Sequence, residues 1–256
     1  MTAGSANPNM AFRLDFDFIA LRMRKLLWMA RRRKRRGLLR QRIAPSLEHT
    51  DLFAGRSFRS VVDVGANVGQ FAIWAADVLG AEQVVCVEPL PAAIAQLREV
   101  ADRLAPCRVE VIAGALGATS ETRTLHVTAA IDSSSLLPVA TAAQSRTALR
   151  ETGTETVDVL IGDEVLPDRL DGPLLIKLDV QGTELDVLAG MPKTLAKADA
   201  VLVEVSFLPL YEGQSNPSTV VACLLEAGFV LTGIGREPRS ASPWVLDQAD
   251  LLFERR

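Results

Sequence analysis

The sequence VVDVGANVGQ at residues 61–70, followed by VVCVEP at residues 84–89, decides the fold. The apolar residues before Gly65 predict a buried strand, and the two glycines predict a tight turn from Gly65 to Gly69. After the turn, apolar residues recur at the spacing that is typical of a helix. A second apolar strand then ends in Glu88. A strand, a glycine turn, a helix and a second strand that ends in an acid predict a nucleotide-binding half-domain.

The spacing of the glycines separates two cofactor classes. A dinucleotide site uses Gly-x-Gly-x-x-Gly, but no glycine stands between Gly65 and Gly69, which disfavours NAD. Asp63 and Asn67 offer polar groups suited to the amino and carboxylate ends of S-adenosylmethionine (AdoMet), and Glu88 stands where a carboxylate can accept both ribose hydroxyls. Buried α/β turns that bind nothing can share this spacing, and Glu88 is the residue that argues against that alternative.

Charge divides the chain into two parts. The 256 residues are enough for one sizeable core, and the net charge of −3 conceals 12 Lys/Arg against 3 Asp/Glu in residues 1–50. Residues 51–256 hold 16 basic and 28 acidic side chains. The sequence therefore predicts a basic, amphipathic helical extension at residues 1–50 and one α/β domain at residues 51–256.

The extension allows three interpretations. Residues 11–42 are predicted to be helical, with Gly37 as an interruption and an apolar stripe that includes Trp28 before the cluster RRRKRR at residues 31–36. Such a helix can lie on an anionic membrane, neutralise nucleic-acid phosphates, or pack on the domain or a partner subunit. The acidic body argues against a polyanion near the active site.

The cysteines indicate a reduced protein. Cys86, Cys107 and Cys223 are far apart, odd in number and without metal-ligand spacing, so we expect a reduced, cytoplasmic protein. No metal site is predicted, because Asp179 and Glu204 are too few ligands to claim one, and a metal requirement stays open. No apolar stretch reaches the roughly 20 residues of a membrane-spanning helix, and no cleavable signal is recognisable. The only membrane contact expected is peripheral, at the inner face, through the basic helix. The oligomeric state is not predicted.

The rest of the chain alternates apolar runs with helical stretches. This alternation predicts a parallel sheet covered on both faces, with an antiparallel edge formed near the end of the chain. Candidate strands at residues 124–128 and 156–161 flank a long loop, residues 129–147, predicted to be a lid or acceptor-binding insert. The strands of the main sheet are predicted at residues 61–64, 84–87, 109–113, 174–178, 200–205, 229–234 and 250–253.

Residues at the carboxyl ends of strands are the candidates for chemistry, and Glu88, Asp179 and Glu204 stand there. Methyl transfer to a hydroxyl needs alignment and a group that takes the proton. We expect Asp179 to be that base, His126 to be the competing candidate and Glu204 to be a second carboxylate. His126 fits a solvent-facing strand residue better than a catalytic one. Lys177 is expected to face the opposite side of the sheet from Asp179, unless the strand has already ended there.

With these motifs in order, the chain resembles the FkbM family of AdoMet-dependent O-methyltransferases over nearly everything after about Ser57. The resemblance implies a Rossmann-like class I fold, with a mostly parallel seven-stranded sheet and an antiparallel edge, and AdoMet as cofactor. It implies transfer to a hydroxyl of a sugar, lipid-linked glycoside or polyketide-type metabolite, in cell-envelope glycolipid synthesis or secondary metabolism. The matching pieces are DVGANVGQF (63–71), VEP (87–89), DSSSLL (132–137), KLDVQGTELDVLAGM (177–191), EVSFLPLYEGQ (204–214) and DLLF (250–253).

The resemblance also assigns residues, while residues 1–50 match no family motif. The implied acceptor-side residues are Ser134, Ser135, Gln181, Glu204 and Tyr211, with Tyr211 either covering the acceptor or packing as an ordinary aromatic. The implied cofactor residues are Asp63, Gly65, Asn67 and Gly69 in the turn and Glu88 at the ribose.

Two alternatives to a sugar or lipid-linked hydroxyl O-methyltransferase stay open. One is an RNA methyltransferase that uses the basic helix, and the other is a catalytically silent AdoMet-binding module. The presence of Asp63, Glu88 and Asp179 together argues against a silent module.

Overall fold

The computed structural model describes residues 8–32, 35–168, 170–236 and 247–256. Short 3-10 helices lie at Leu47–His49, Ile131–Ser133, Thr141–Ala143 and Thr147–Leu149, and a π-helical turn at Ala75–Leu79 continues α3. The main elements are α1 (Pro8–Arg31), α2 (Arg36–Leu39), β1 (Ser60–Val64), α3 (Gln70–Trp74), β2 (Gln83–Glu88), α4 (Pro91–Ala101), β3 (Arg108–Ala113), β4 (Ala115–Gly117), β5 (Glu121–Thr128), β6 (Glu151–Ile161), α5 (Gly162–Val165), β7 (Leu174–Leu178), α6 (Glu184–Ala189), α7 (Pro192–Lys197), β8 (Ala200–Ser206), α8 (Pro217–Glu226), β9 (Phe229–Arg236) and β10 (Gln248–Arg255).

The main sheet has seven strands in the order β3-β2-β1-β7-β8-β10-β9. The first five strands in this order are parallel, and β10 runs antiparallel to both β8 and β9. The predicted mostly parallel sheet with an antiparallel edge is therefore confirmed. From the middle of the sheet, β1, β2 and β3 follow one another toward one edge, while β7 and β8 follow one another toward the other edge. The strand order therefore changes direction between β1 and β7, and open α/β sheets bind ligands at such a point.

Strand alternation divides the side chains of this sheet between two buried faces. Val61, Leu175, Leu202 and Leu252 belong to one apolar cluster, while their strand neighbours Val62, Ile176, Val203 and Leu251 belong to the other. Two-residue periodicity then turns the polar positions 63, 177, 204 and 250 toward the first face. Four polar side chains from four adjacent strands thus share one face near the end of the sheet.

A second, three-stranded sheet has the order β4-β6-β5. It contains the strands predicted at residues 124–128 and 156–161, which the sequence did not assign to a separate sheet. β5 and β6 are antiparallel, and the segment between them carries the 3-10 helices that begin at residues 131, 141 and 147. The predicted loop is therefore an ordered insert attached to the main domain.

The N-terminal segment packs on the first face of the main sheet. Met29, Leu38 and Leu47 are buried in the same apolar cluster as Trp74, and the Arg35 guanidinium donates two hydrogen bonds of 2.7 Å to the Asp77 carboxylate. These contacts support the interpretation in which the extension packs on the domain.

The boundaries of the N-terminal helix differ from the prediction. α1 ends at Arg31 rather than at residue 42, and Gly37 lies within α2 instead of interrupting a helix. Residues 33 and 34 of the basic cluster lie outside the described residues, as do residues 1–7 of the extension. Among the helices that the structure does describe, none has both the length and the hydropathy needed to span a membrane.

We expect Met29→Ala to destabilise the whole protein. Met29 is fully buried, so its truncation should lower the free energy of unfolding by about 2–5 kcal/mol, whereas Leu26→Ala on the same helix, at 52% exposure, should cost less than about 0.5 kcal/mol. Urea unfolding monitored by tryptophan fluorescence measures both values. Equal costs would show that the helix does not pack on the domain as described.

Candidate active site

A cavity of about 360 Å³ opens at the carboxyl ends of β1, β2 and β7. Its volume is within the range of small-molecule sites. Six acids and two lysines line it: Glu48, Glu88, Asp132, Asp179, Glu204, Asp250, Lys25 and Lys177. This excess of carboxylates favours a cationic ligand over an anionic one.

The glycine turn places Glu88 at one wall of the cavity. Gly65 and Asn67 have φ values of +79° and +48°, and this turn directs the Asn67 N–H at Glu88 Oε2 over 2.8 Å. The Leu90 N–H donates to Oε1, also over 2.8 Å. Burial raises the pKa of Glu88 while these two N–H groups act to lower it. Each carboxylate oxygen keeps a further lone pair for a ligand hydroxyl.

Two buried oxygens in this region have no hydrogen-bonding partner within the described residues. They are Asp63 Oδ2 and Asn67 Oδ1. Asn67 lines the cavity, so its amide oxygen is placed to accept a hydrogen bond from a ligand. Asp63 is fully buried and is not among the lining residues, so it supports the site from behind the wall.

Gly69 serves packing instead of the cavity. It is absent from the lining, and a Cβ at this position would lie 2.9 Å from the Leu97 side chain and 3.1 Å from that of Val100. Its backbone has φ of +91°, a conformation that favours glycine. Of the two predicted glycines, Gly65 alone lines the cavity.

Lys177 joins β1 to β7 through contacts with two carboxylates that the sequence did not predict. Its Nζ lies 3.1 Å from Asp63 Oδ1 and 3.4 Å from Asp179 Oδ2. Burial acts to lower the pKa of Lys177, but the two carboxylates outweigh it and the pKa is raised, so the side chain stays an ammonium. The expectation that Lys177 faces away from Asp179 was wrong, because residues two apart in a strand share a face.

Gln181 connects most of the predicted acceptor-side residues. Its Nε2 donates to Asp179 Oδ1 over 2.8 Å and to Glu204 Oε2 over 2.9 Å, and its backbone carbonyl accepts from Ser135 Oγ over 2.7 Å. Gln181 has φ of +54°, which is uncommon for a residue with a side chain and is held here by these contacts. The amide therefore sets the positions of both carboxylates.

The other two predicted acceptor-side residues have different roles. Ser134 lines the cavity and its Oγ accepts from the Thr128 N–H. Tyr211 is buried and does not line the cavity; its hydroxyl lies 2.9 Å from Gln181 Oε1 and 2.7 Å from the Ser133 carbonyl, either of which can accept its proton. Burial raises the pKa of Tyr211, so it remains a donor that supports Gln181. The structure favours packing over a covering role.

His126 does not enter the cavity. Leu125 lines it, and strand alternation turns the next residue of β5 to the opposite face, where His126 Nδ1 lies 3.4 Å from Glu151 Oε2. A second histidine, His49, does line the cavity, together with Asp250. Sequence reasoning missed His49, which precedes every recognised motif.

The chain matches the methyltransferase FkbM domain over residues 63–231, which is more than half of its length. It belongs to this family. A hexuronic acid methyltransferase, AglP of Haloferax volcanii, is 30% identical over 144 residues, which cover 56% of this chain and 54% of AglP. The crystal structure of methyltransferase FkbM from Methylobacillus flagellatus KT is 18% identical with a TM-score of 0.51, covering 77% of this chain and 43% of that one. The chain thus spans about half the length of these relatives and has the class I methyltransferase fold.

We expect Gly65→Ala to be far more damaging than Gly80→Ala. Both glycines have φ near +80°, but a Cβ at Gly65 would lie 1.9 Å from the Asp179 carbonyl oxygen, while at Gly80 nothing lies within 4 Å. Gly80→Ala should cost only about 1–2 kcal/mol, the energy of placing a residue with a side chain in the left-handed conformation. Gly65→Ala should cost about 4 kcal/mol or more, or prevent folding. Chemical denaturation measures both, and similar costs would contradict the close approach of β1 to β7.

Glu184 makes stability depend on pH. It is buried at the start of α6, its Oε1 accepts the Gly182 N–H, and burial raises its pKa to about 7. The folded chain then binds this proton more tightly than the unfolded chain, so stability falls as pH rises from about 4.5 to about 7, by up to about 3 kcal/mol.

We expect Glu184→Gln to remove this loss and to be more stable than the wild type at pH 8. Asp186→Asn, on the exposed face of the same helix, is the control, and unfolding curves at pH 5 and pH 8 decide. A wild-type advantage at pH 8 would contradict the assignment.

Proposed function

We propose that the chain is an AdoMet-dependent O-methyltransferase that acts on a hydroxyl of a sugar. The observation that supports this best is the cavity itself, where acids outnumber lysines six to two around the Glu88 carboxylate. AdoMet carries a sulfonium and an ammonium against one carboxylate, whereas NAD carries an anionic pyrophosphate. The charge of the wall suits the first and opposes the second.

The residues present fit this cofactor. Glu88 would hold the ribose hydroxyls, since both of its oxygens retain acceptor capacity, and the unpartnered Asn67 Oδ1 would accept from the ammonium. Bound AdoMet supplies an electrophilic methyl group. The chain itself supplies alignment, because Gln181 and Lys177 hold Asp179 from two sides at the rim of the cavity.

A sugar acceptor is proposed from the relative and the lining together. AglP is described as a hexuronic acid methyltransferase, and the insert contributes Asp132, Ser133 and Ser134 to the cavity as groups that can hydrogen-bond to hydroxyls. The acidic lining argues against an RNA acceptor. Asp179 would accept a hydrogen bond from the acceptor hydroxyl and turn its oxygen toward the methyl group.

Membrane contact, a lipid-linked acceptor and a cytoplasmic location stay predictions. The observation that bears on membrane contact is the apolar face of α1, where Ile19, Met23, Leu26 and Leu27 are all more than half exposed. Co-sedimentation of the wild type and of Leu26→Ser/Leu27→Ser with anionic vesicles would test the contact. Equal sedimentation of the two proteins would reject it.

Calorimetric titration with AdoMet and with NAD tests the cofactor assignment. We expect AdoMet alone to bind, and Glu88→Ala to weaken the affinity about 10- to 100-fold through the loss of hydrogen bonds to a charged group. Glu82→Ala is the matched control, because Glu82 immediately precedes β2, at the end of that strand away from Glu88, and is exposed. Thermal unfolding checks that each variant is folded. Unchanged binding in Glu88→Ala, or binding of NAD instead, would reject the assignment.

Asp179→Asn tests the role of the acceptor-side carboxylate. We expect the rate of S-adenosylhomocysteine release with methyl glycosides of glucose and glucuronic acid to fall about 10- to 100-fold, while AdoMet affinity is kept. The reason is that the amide retains the shape but loses the charge that orients the hydroxyl. An unchanged rate would remove Asp179 from the reaction, and loss of both rate and affinity would make its role structural.

A further inference from the structure

The N-terminal segment builds one wall of the cavity. Leu21, Lys25, Ser46, Glu48 and His49 all line it, and Lys25 Nζ lies 2.7 Å from Glu48 Oε2. None of these residues falls within residues 63–231, the part that matches the family. The site is thus completed by a segment to which neither the motifs nor the family match assigns a role.

His49 is held firmly at this wall. It is the last residue of the turn Leu47–His49, it is only 8% exposed, and its ring makes edge contacts with Phe71 at 5.5 Å and Trp74 at 5.8 Å between centroids. The Ser46 N–H also bonds to the Gln70 carbonyl over 3.2 Å, which ties the turn to the start of α3. A ring fixed by two aromatic neighbours has little freedom to reorient.

Asp250 pairs with one side of this ring. Its Oδ2 lies 3.6 Å from His49 Nδ1, and it stands on the face of the sheet that carries Asp63 and Lys177. A half-buried carboxylate beside Nδ1 favours the tautomer with the proton on Nδ1, which leaves Nε2 as the acceptor nitrogen of the ring. Within the described residues His49 Nε2 has no hydrogen-bonding partner, so it is available to a ligand in the cavity.

The carboxylates of the rim are less suited to taking a proton. Lys177 and Gln181 engage the two oxygens of Asp179, and Glu204 Oε2 accepts from both Gln181 and Gln248. These donors already occupy part of the hydrogen-bonding capacity of both carboxylates. A histidine oriented by a carboxylate is the better match for a general base near neutral pH.

We propose that His49, oriented by Asp250, is the general base of the methyl transfer, an inference that rests on the proposed function. As the acceptor oxygen bonds to the methyl carbon, the carbon–sulfur bond breaks and its electron pair stays on sulfur. The hydroxyl proton moves to His49 Nε2, and the imidazolium, paired with Asp250, later releases it to solvent. Asp179 orients the hydroxyl during this step.

His49→Gln, His126→Gln and Asp250→Asn test the proposal. His126 is the other of the two histidines in the chain, so it is the matched comparison. AdoMet affinity is measured by calorimetry, and transfer of labelled methyl to methyl glycosides of glucose and glucuronic acid is measured between pH 5.5 and pH 9. We expect His49→Gln to keep AdoMet affinity, to lose about 10²- to 10⁴-fold in rate at neutral pH, and to lose the acidic limb of the pH profile of kcat/KM. Asp250→Asn should lose less in rate than His49→Gln and should keep that limb.

A second readout does not depend on turnover. The ring C–H signals of the two histidines are visible in the NMR spectrum, and His126→Gln distinguishes one set from the other. The His49 signals should shift when the methyl glycosides are added in the presence of S-adenosylhomocysteine, while the His126 signals stay in place. His49 signals that do not respond to either glycoside would overturn the proposal.

The outcomes distinguish a failure of this inference from a failure of the proposed function on which it rests. Wild-type protein that binds no AdoMet or methylates neither glycoside would overturn the proposed function and this inference with it. Wild-type transfer that His49→Gln leaves intact, or reduces equally at every pH, would overturn the inference alone, since an equal loss indicates a packing role. The same loss in His126→Gln with none in His49→Gln would assign the base to His126.

Discussion

The contact of Lys177 with Asp63 and Asp179 is the interaction on which the site depends. It joins the ends of β1 and β7 where the chain changes direction along the sheet, and it does so through a buried ammonium. Burying a charge is costly unless it is paired, so removal of both carboxylates would leave the Lys177 ammonium uncompensated. The glycine turn follows Asp63 and the Gln181 loop follows Asp179, so this one contact positions both halves of the cavity.

An acid-rich cavity is unfavourable for folding and favourable for its ligand. Like charges collected at one end of a sheet repel each other, and the protein reduces that repulsion with backbone N–H groups at Glu88 and amide bridges between Asp179 and Glu204. The unbalanced charge that remains is what a cationic cofactor would neutralise. The insert between β5 and β6 and the segment before β1 then enclose this charge from two directions.

The sequence was informative wherever function follows a local pattern. The strand with Asp63, the turn at Gly65 and the next strand, which ends in Glu88, follow one another closely along the chain. The apolar strand before Asp179 is equally recognisable, so the sheet and half of the cavity could be predicted. Lys177 could also have been found, because it stands two residues before Asp179 in a strand. The contact between His49 and Asp250 could not, since about 200 residues separate them and only the packing of the whole chain brings them together. The same holds for the separate three-stranded sheet, whose strands were recognisable but whose partners were not.

The most direct measurement is a crystal structure of the full chain with S-adenosylhomocysteine. We expect the ribose hydroxyls on the Glu88 carboxylate, the amino group near Asn67 Oδ1, and the sulfur facing a space bounded by Asp179 and His49. Leu21, Lys25, Ser46 and Glu48 should line the cavity as they do here. A nucleoside bound elsewhere, or an N-terminal segment displaced from the cavity, would contradict the account.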